Sequence, residues 1–363
     1  MLCAVSRVMM NHPTAARKLL EKAGSVAALA EGGAGFVNEV LGVLDVGDVL
    51  FSKEMVSWGM QEAVWYESKG VEIISVLSSS YPLKLRDCPD APAVLYFRGT
   101  PSLGTEKTRS LSVVGTRMAS SYGKECCSAI IQDIARICPD VHIVSGLAVG
   151  IDGLAHTSAL DCGLETIAVL PCGIDMIYPS SHRSLAVKIL GHGGIITEYP
   201  RGTKPLRFNF LQRNRIIAGI SDALLVVESR ISGGSMSTVE YASSYNKDIF
   251  AVPGRMTDAN SYGCNYLINK NVAQICLNAS TIISSMGWTD VRLSDISRQP
   301  DLFSSSDSLK EKLLLSLSFV RGKTMDQLSA ETSSDVASLS LALLQMDIEG
   351  KARKDSSDLW FKV

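Results

Sequence analysis

The sequence predicts a doubly wound α/β domain, and three observations carry that expectation. Short Val- and Ile-rich runs recur through the middle of the chain, roughly 25–30 residues apart. Helix-like stretches separate most of them, and Gly, Ser and Arg crowd their ends. The runs are LSVVG (111–115), HIVSG (142–146), TIAVLP (166–171), GIITEY (194–199), ALLVVES (223–229), DIFAVPG (248–254) and AQICL (273–277). Apolar runs of this length suit strands buried on both faces of a parallel sheet. Segments such as YGKECCSAIIQDIARIC (122–138) and STVEYASSYNK (237–247) supply the crossover helices. Ligands of such sheets sit beyond the carboxyl ends of the strands, which directs attention to the loops starting at Gly115, Ser145, Pro171, Glu198, Glu228 and Pro253.

The flanks read differently. Residues 13–30 have a helical pattern closed by Gly24, and helical segments continue to about residue 63, giving a small helical domain over 1–68 ahead of a core over 69–289. Residues 290–308 are Ser- and Asp-rich without sustained periodicity and read as a linker. In 309–363, three helical stretches precede a terminal hairpin, the element order of a winged helix. Its third helix (334–350) carries Asp335, Asp347 and Glu349 and no Lys or Arg, so phosphates would repel it, while Val336, Leu339, Leu343 and Met346 are expected in its core. A protein-contact role fits this module better than duplex binding.

Composition narrows the function classes. With 363 residues, 46% hydrophobic and 20% charged, the chain supports two or three domains and a sizeable core, which excludes bulk disorder. A net charge of −2 excludes a general cationic field, so any polyanion site is a local patch. The nine cysteines include no C-x-x-C pair, arguing against a zinc site or disulfide framework and for a reducing compartment. No stretch reaches the ~18 apolar residues of a membrane helix, so a cytoplasmic protein without membrane attachment is expected.

The local patch is RGTKPLRFNFLQRNR (201–215), with Arg201, Lys204, Arg207, Arg213 and Arg215 and no acid. Its cations can neutralise phosphates, and Phe208 and Phe210 offer faces for bases; a solvated basic loop is the plainer alternative. Gly115, Thr116 and Arg117 in VVGTRMASSYG, and Ser145 and Gly146 in SGLAVGIDGLAH, form small-residue turns that let backbone N–H groups meet an anion. Neither turn fits a dinucleotide fingerprint or a P-loop, so no cofactor is expected, and no metal. Asp152 is expected to cap its helix and His156 to pack within it; Ser237 or Thr238 is expected to cap the helix carrying Glu240.

Taken in order, VVGTRMASSYG, VSGLAVGIDGLAH, VLPCGIDMIYPSSH, TEYPRG, QRNRIIAGIS, VVESRISGGSMST, DIFAVPGR and SYGCNYLI resemble the DNA-processing protein A family, also called DprA or Smf, over roughly residues 70–290. The resemblance implies a SAM-like helical N-terminus, an extended Rossmann core and a winged helix. It implies a non-enzymatic, homodimeric protein that binds and protects single-stranded DNA and loads the RecA-type recombinase during natural transformation. Carried onto this sequence, the strand pocket would involve Arg117, Ser145, Gly146, Phe210, Arg213, Asn214 and Arg215, beside Gly115, Thr116, Lys204 and Arg207 from the electrostatic reading. The alternative is an enzyme: GGSMSTVE (233–240) is similar to a motif of nucleoside 5′-monophosphate phosphoribohydrolases, whose Glu would fall at Glu240.

Overall fold

A computed structural model of the chain describes residues 1–100, 108–288, 304–318, 322–332, 334–355 and 358–362. They form two compact units, Met1–Asp290 and Val291–Val363.

The first unit opens with five helices, α1 (Leu2–Val8), α2 (Pro13–Ala23), α3 (Val26–Leu41), α4 (Val46–Leu50) and α5 (Lys53–Ser68). Helix α2 has Pro13 at its first turn and Gly24 in the left-handed region at its end, while Ser25 and Ser52 cap α3 and α5 with their side-chain oxygens. Next come β1 (Glu72–Ser75), the short α6 (Leu83–Arg86) and β2 (Val94–Gly99). The apolar core is continuous across residue 68: Leu19, Leu20 and Tyr66 share one cluster with Ile74, Leu95 and Ile196, and Tyr66 stacks on Tyr96 at 4.5 Å.

Strands β3 (Ser110–Val114), β4 (His142–Ser145), β5 (Thr166–Val169), β6 (Gly193–Thr197), β7 (Ala223–Val226), β8 (Asp248–Ala251) and β9 (Gln274–Ile275) coincide with the seven Val/Ile runs. The sheet order is β1-β2-β6-β5-β4-β3-β7-β8-β9. From β6 to β9 every pairing is parallel, whereas β1 and β2 join antiparallel at one end. This edge pair was not anticipated, because its strands lie outside the evenly spaced pattern. Between the strands run α7 (Ser121–Ile137), α8 (Ile151–Asp161), α9 (Arg183–Gly191), α10 (Arg207–Ile220), α11 (Ser235–Ser244) and α12 (Tyr262–Asn269), and α13 (Ala279–Ser285) follows β9. Helix α7 packs on α8 and α13, and α8 on α9, while α10 packs on α11 and α6. Order reverses beside β3, whose neighbours are β4 and β7, and a crevice opens beyond the strand ends there.

The second unit has α14 (Ser304–Ser316), α15 (Met325–Thr332), α16 (Val336–Ile348) and an antiparallel ribbon of β10 (Ala352–Lys354) and β11 (Trp360–Lys362). Helix α14 begins inside the stretch read as a linker, most of which lies outside the described residues. Leu339, Leu343 and Met346 are buried with Leu313, Leu328 and Trp360, as their spacing requires. Val336 is not. It is 53% exposed at the first turn of α16, and Ala342 takes the inward position instead.

Candidate functional site

A cavity of about 740 Å³ fills the crevice beyond β3 and β7. Three loops and the face of α10 that carries Arg207, Phe210, Leu211 and Asn214 enclose it. Those four positions recur at i, i+3, i+4 and i+7, one stripe of a helix.

Glu228, just past β7 and 2% exposed, folds the first loop. Its carboxylate accepts from Ser120 N (2.9 Å) and Ser120 Oγ (2.5 Å), and its carbonyl from Thr116 N (2.7 Å). Gly115, Thr116 and the exposed Arg117 are thereby set at the cavity edge. The second loop closes against the first, with Ile151 N donating to Thr116 O at 3.2 Å. Gly150 makes that approach possible: its φ is +84°, and a Cβ there would collide with Thr116 O. The third loop brings Arg230 and the Ser- and Gly-rich turn 232–235. Asn214 ties it to α10 by donating to Ser237 Oγ (2.8 Å) and Gly234 O (3.3 Å).

Phe210 lines the cavity from α10. The Arg117 guanidinium lies 5.3 Å from its ring centre, and Tyr178 meets it edge-on at 5.5 Å. A planar base entering here meets aromatic faces beside a cation.

The floor is charged. Arg213, 3% exposed, donates from Nη1 to Gly146 O (2.7 Å) and to Val169 O. A Cβ on Gly146 would collide with that guanidinium. Burial pulls Arg213 down to about 10, opposed by Asp152, so it stays protonated at neutral pH. Burial likewise raises Asp152, against Arg213 and the backbone N–H groups of Ala148 and Gly146. Beneath them His156 is fully buried and lowered to about 3, first by burial and then by His182 and Arg213. Its Nδ1 lies 2.6 Å from Thr166 Oγ1, which itself donates to Ile143 O, so the ring is neutral with its proton on Nδ1.

Of the expected site residues, the cavity brings together Gly115, Thr116, Arg117, Arg207, Phe210, Arg213 and Asn214. The rest lie elsewhere. Ser145 Oγ is buried and donates to Val113 O at 2.6 Å, so it joins strands. Gly146 serves through its carbonyl, and Lys204 is exposed beside the cavity lining. Arg215 is 2% exposed and paired with the buried Glu198, turned away from the crevice; Arg201 is bound bidentately by Glu62 on α5. The capping expectations also change. Gly150 caps α8, leaving Asp152 free to line the cavity, and Gly234 precedes α11, where Ser237 Oγ donates to Gly234 O instead of accepting from a helix N–H. Tyr178, Arg230 and Asp152 were missed as cavity residues. The strand-end loop at Glu228 points toward Arg230, and Asp152 reads in sequence as a helix cap.

The profile of the DNA recombination-mediator protein A family matches residues 72–287. The chain belongs to this family. Protein Smf of Synechocystis sp. is 37% identical over 224 residues, 61% of this chain and 56% of that protein, so the match spans about half of the relative. DNA processing protein DprA of Streptococcus pneumoniae is 39% identical over 196 residues, 54% of this chain and 68% of that protein. The X-ray structure of the S. pneumoniae family member superposes with a TM-score of 0.61 at 30% identity, covering 78% of this chain and 97% of that one. A structure of DNA processing protein A from Helicobacter pylori, described for its single-stranded DNA binding mode, gives 0.53 at 29% identity over 60% of this chain and 95% of that one. The family match encloses every cavity residue named above.

Proposed function

We propose that this protein binds single-stranded DNA in the β3/β7 crevice, protects it, and hands it to a RecA-type recombinase in DNA processing of the kind that accompanies natural transformation. The observation that carries the reading is Phe210 held between Arg117 and Tyr178 at the reversal of strand order. Aromatic faces accept bases only when the bases are unstacked, which favours a single strand over a duplex. Arg117, Arg207 and Arg230 take phosphates, with Lys204 beside them, while Arg213 lends its charge from the floor. The H. pylori relative's binding mode supports the same ligand. In this reading the protein is not an enzyme and acts as a homodimer, with a SAM-like helical start and a winged helix over the second unit. The ribohydrolase alternative loses its support, since Glu240 is exposed on α11 outside the cavity lining.

The test is a mobility-shift titration of single-stranded and duplex DNA across salt, without metal or nucleotide. Four phosphate contacts predict log K falling against log[salt] with a slope of roughly −3 for the single strand. A flat response, or equal preference for duplex, would sink the reading.

A further inference from the structure

A second cavity, of about 670 Å³, opens where α5 meets the β2–β6 end of the sheet and α9. Its walls are apolar, from Trp65, Ile174, Met176, Ile177 and Leu190. Lys69, Arg98 and Arg183 complete the lining, all exposed and none in an ion pair among the described residues. The lining's acid, Asp175, is already engaged, accepting from Gly202 N at 3.0 Å. The two cavities share no lining residue, although the loop that supplies Ile174–Ile177 here supplies Tyr178 there.

We propose that this second cavity binds an amphipathic organic anion: an acyl or aryl body with a single anionic end group. The volume falls in the range of small-molecule sites, and an apolar wall with a few convergent polar groups is how such sites orient a ligand. Three cations against the single carboxylate of Asp175 leave the lining net positive, which selects an anionic end. The wall selects the body. A nucleobase would bring a hydrogen-bonding edge against hydrocarbon and lose its water without replacement, whereas an acyl or aryl body gains from leaving water. The cavity is therefore not a continuation of the strand site, and its occupant is independent of the DNA reading.

The probe is 1-anilinonaphthalene-8-sulfonate, followed by fluorescence on the full chain, with N-phenyl-1-naphthylamine as its uncharged counterpart. The sulfonate dye should show one saturable component that laurate displaces and that thymidine monophosphate and oligothymidylate leave in place. Val187 lines the cavity yet is 70% exposed, so Val187→Trp can fill it without disturbing the core. That variant should weaken the dye by about tenfold or more. The triple variant Lys69→Gln, Arg98→Gln, Arg183→Gln should weaken the sulfonate dye about tenfold while leaving the uncharged dye within about twofold. Phe210→Ala should not change either. Dye affinity untouched by Val187→Trp, equal losses of both dyes in the triple variant, or displacement by oligothymidylate would each overturn the assignment. Thermal midpoints matching the unsubstituted protein confirm that the variants are folded.

Discussion

At the scale of single residues, cations that look alike in sequence do different work. Arg117 is exposed and positioned by its loop, so Arg117→Ala should cost about 1–3 kcal/mol of single-strand binding with the unfolding midpoint unchanged. Arg213 is the contrast. In sequence it belongs to a basic run that also reads as a solvated loop. The structure puts it inside α10, tied to two backbone carbonyls and facing Asp152. Arg213→Ala should therefore destabilise the protein by about 1–3 kcal/mol, leaving two carbonyls without their buried donor, and denaturant unfolding measures it. His156 adds a pH dependence. Its folded pKa, lowered by burial to about 3, lies below the ordinary value of 6.5, so the unfolded chain binds the extra proton between those values. Stability falls as pH drops from about 6.5 toward 3, and the sign is opposite to that of a raised carboxyl such as Asp152. His156→Gln should flatten this part of the pH–stability curve relative to the unsubstituted protein; parallel curves would contradict it.

At the scale of elements, α10 and α16 show what a helix register decides. On α10 the cavity stripe passes between Arg213 and Arg215, and each falls about 100° to one side of it. One side meets the floor of the crevice and the other meets Glu198. On α16 the exposed large side chains are Val336, Leu341 and Leu344, with no cation among them. An element that turns leucines and acids outward gives phosphates nothing to bind. Deleting residues 309–363 should leave single-strand affinity within about tenfold at matched salt, since Met1–Asp290 is a compact unit containing the whole cavity. A larger loss with the oligomeric state preserved would assign the second unit a share in binding.

For the whole molecule, the sheet has two unlike ends. The β1–β2 end is covered, since α1 and α5 pack on it and share its core. Among the described residues the β9 end is open: β9 pairs only with β8, and Ile275 and Leu277 beside it are 42% and 70% exposed, with Tyr262 and Tyr266 on neighbouring α12 also exposed. An uncovered edge with an apolar surround is a surface for self-association. If the proposed homodimer forms there, Leu277→Asp should shift sedimentation toward monomer. It should also reduce affinity for strands long enough to reach two crevices far more than for short ones, because the second contact gains from effective concentration. An unchanged sedimentation profile would place the dimer elsewhere.

The seven parallel strands, their loops and the small-residue turns were legible in the sequence because each rests on local pattern: a Val/Ile run, a helix-length gap, a glycine at a strand end. Part of the candidate site was legible for the same reason, as with Gly115, Arg117 and Phe210. What tertiary structure alone decided was the fate of each charge. The basic run 201–215 reads as +5, yet Arg201 is held by Glu62, 139 residues away, and Arg215 by Glu198 on the opposite side of α10 from Arg213. An ion pair depends on two segments meeting in space, and composition records the charges without recording the meeting. The antiparallel β1–β2 edge and the core shared with the N-terminal helices belong to the same class. Each is a contact between distant segments, set by which surfaces the folded sheet leaves to be covered.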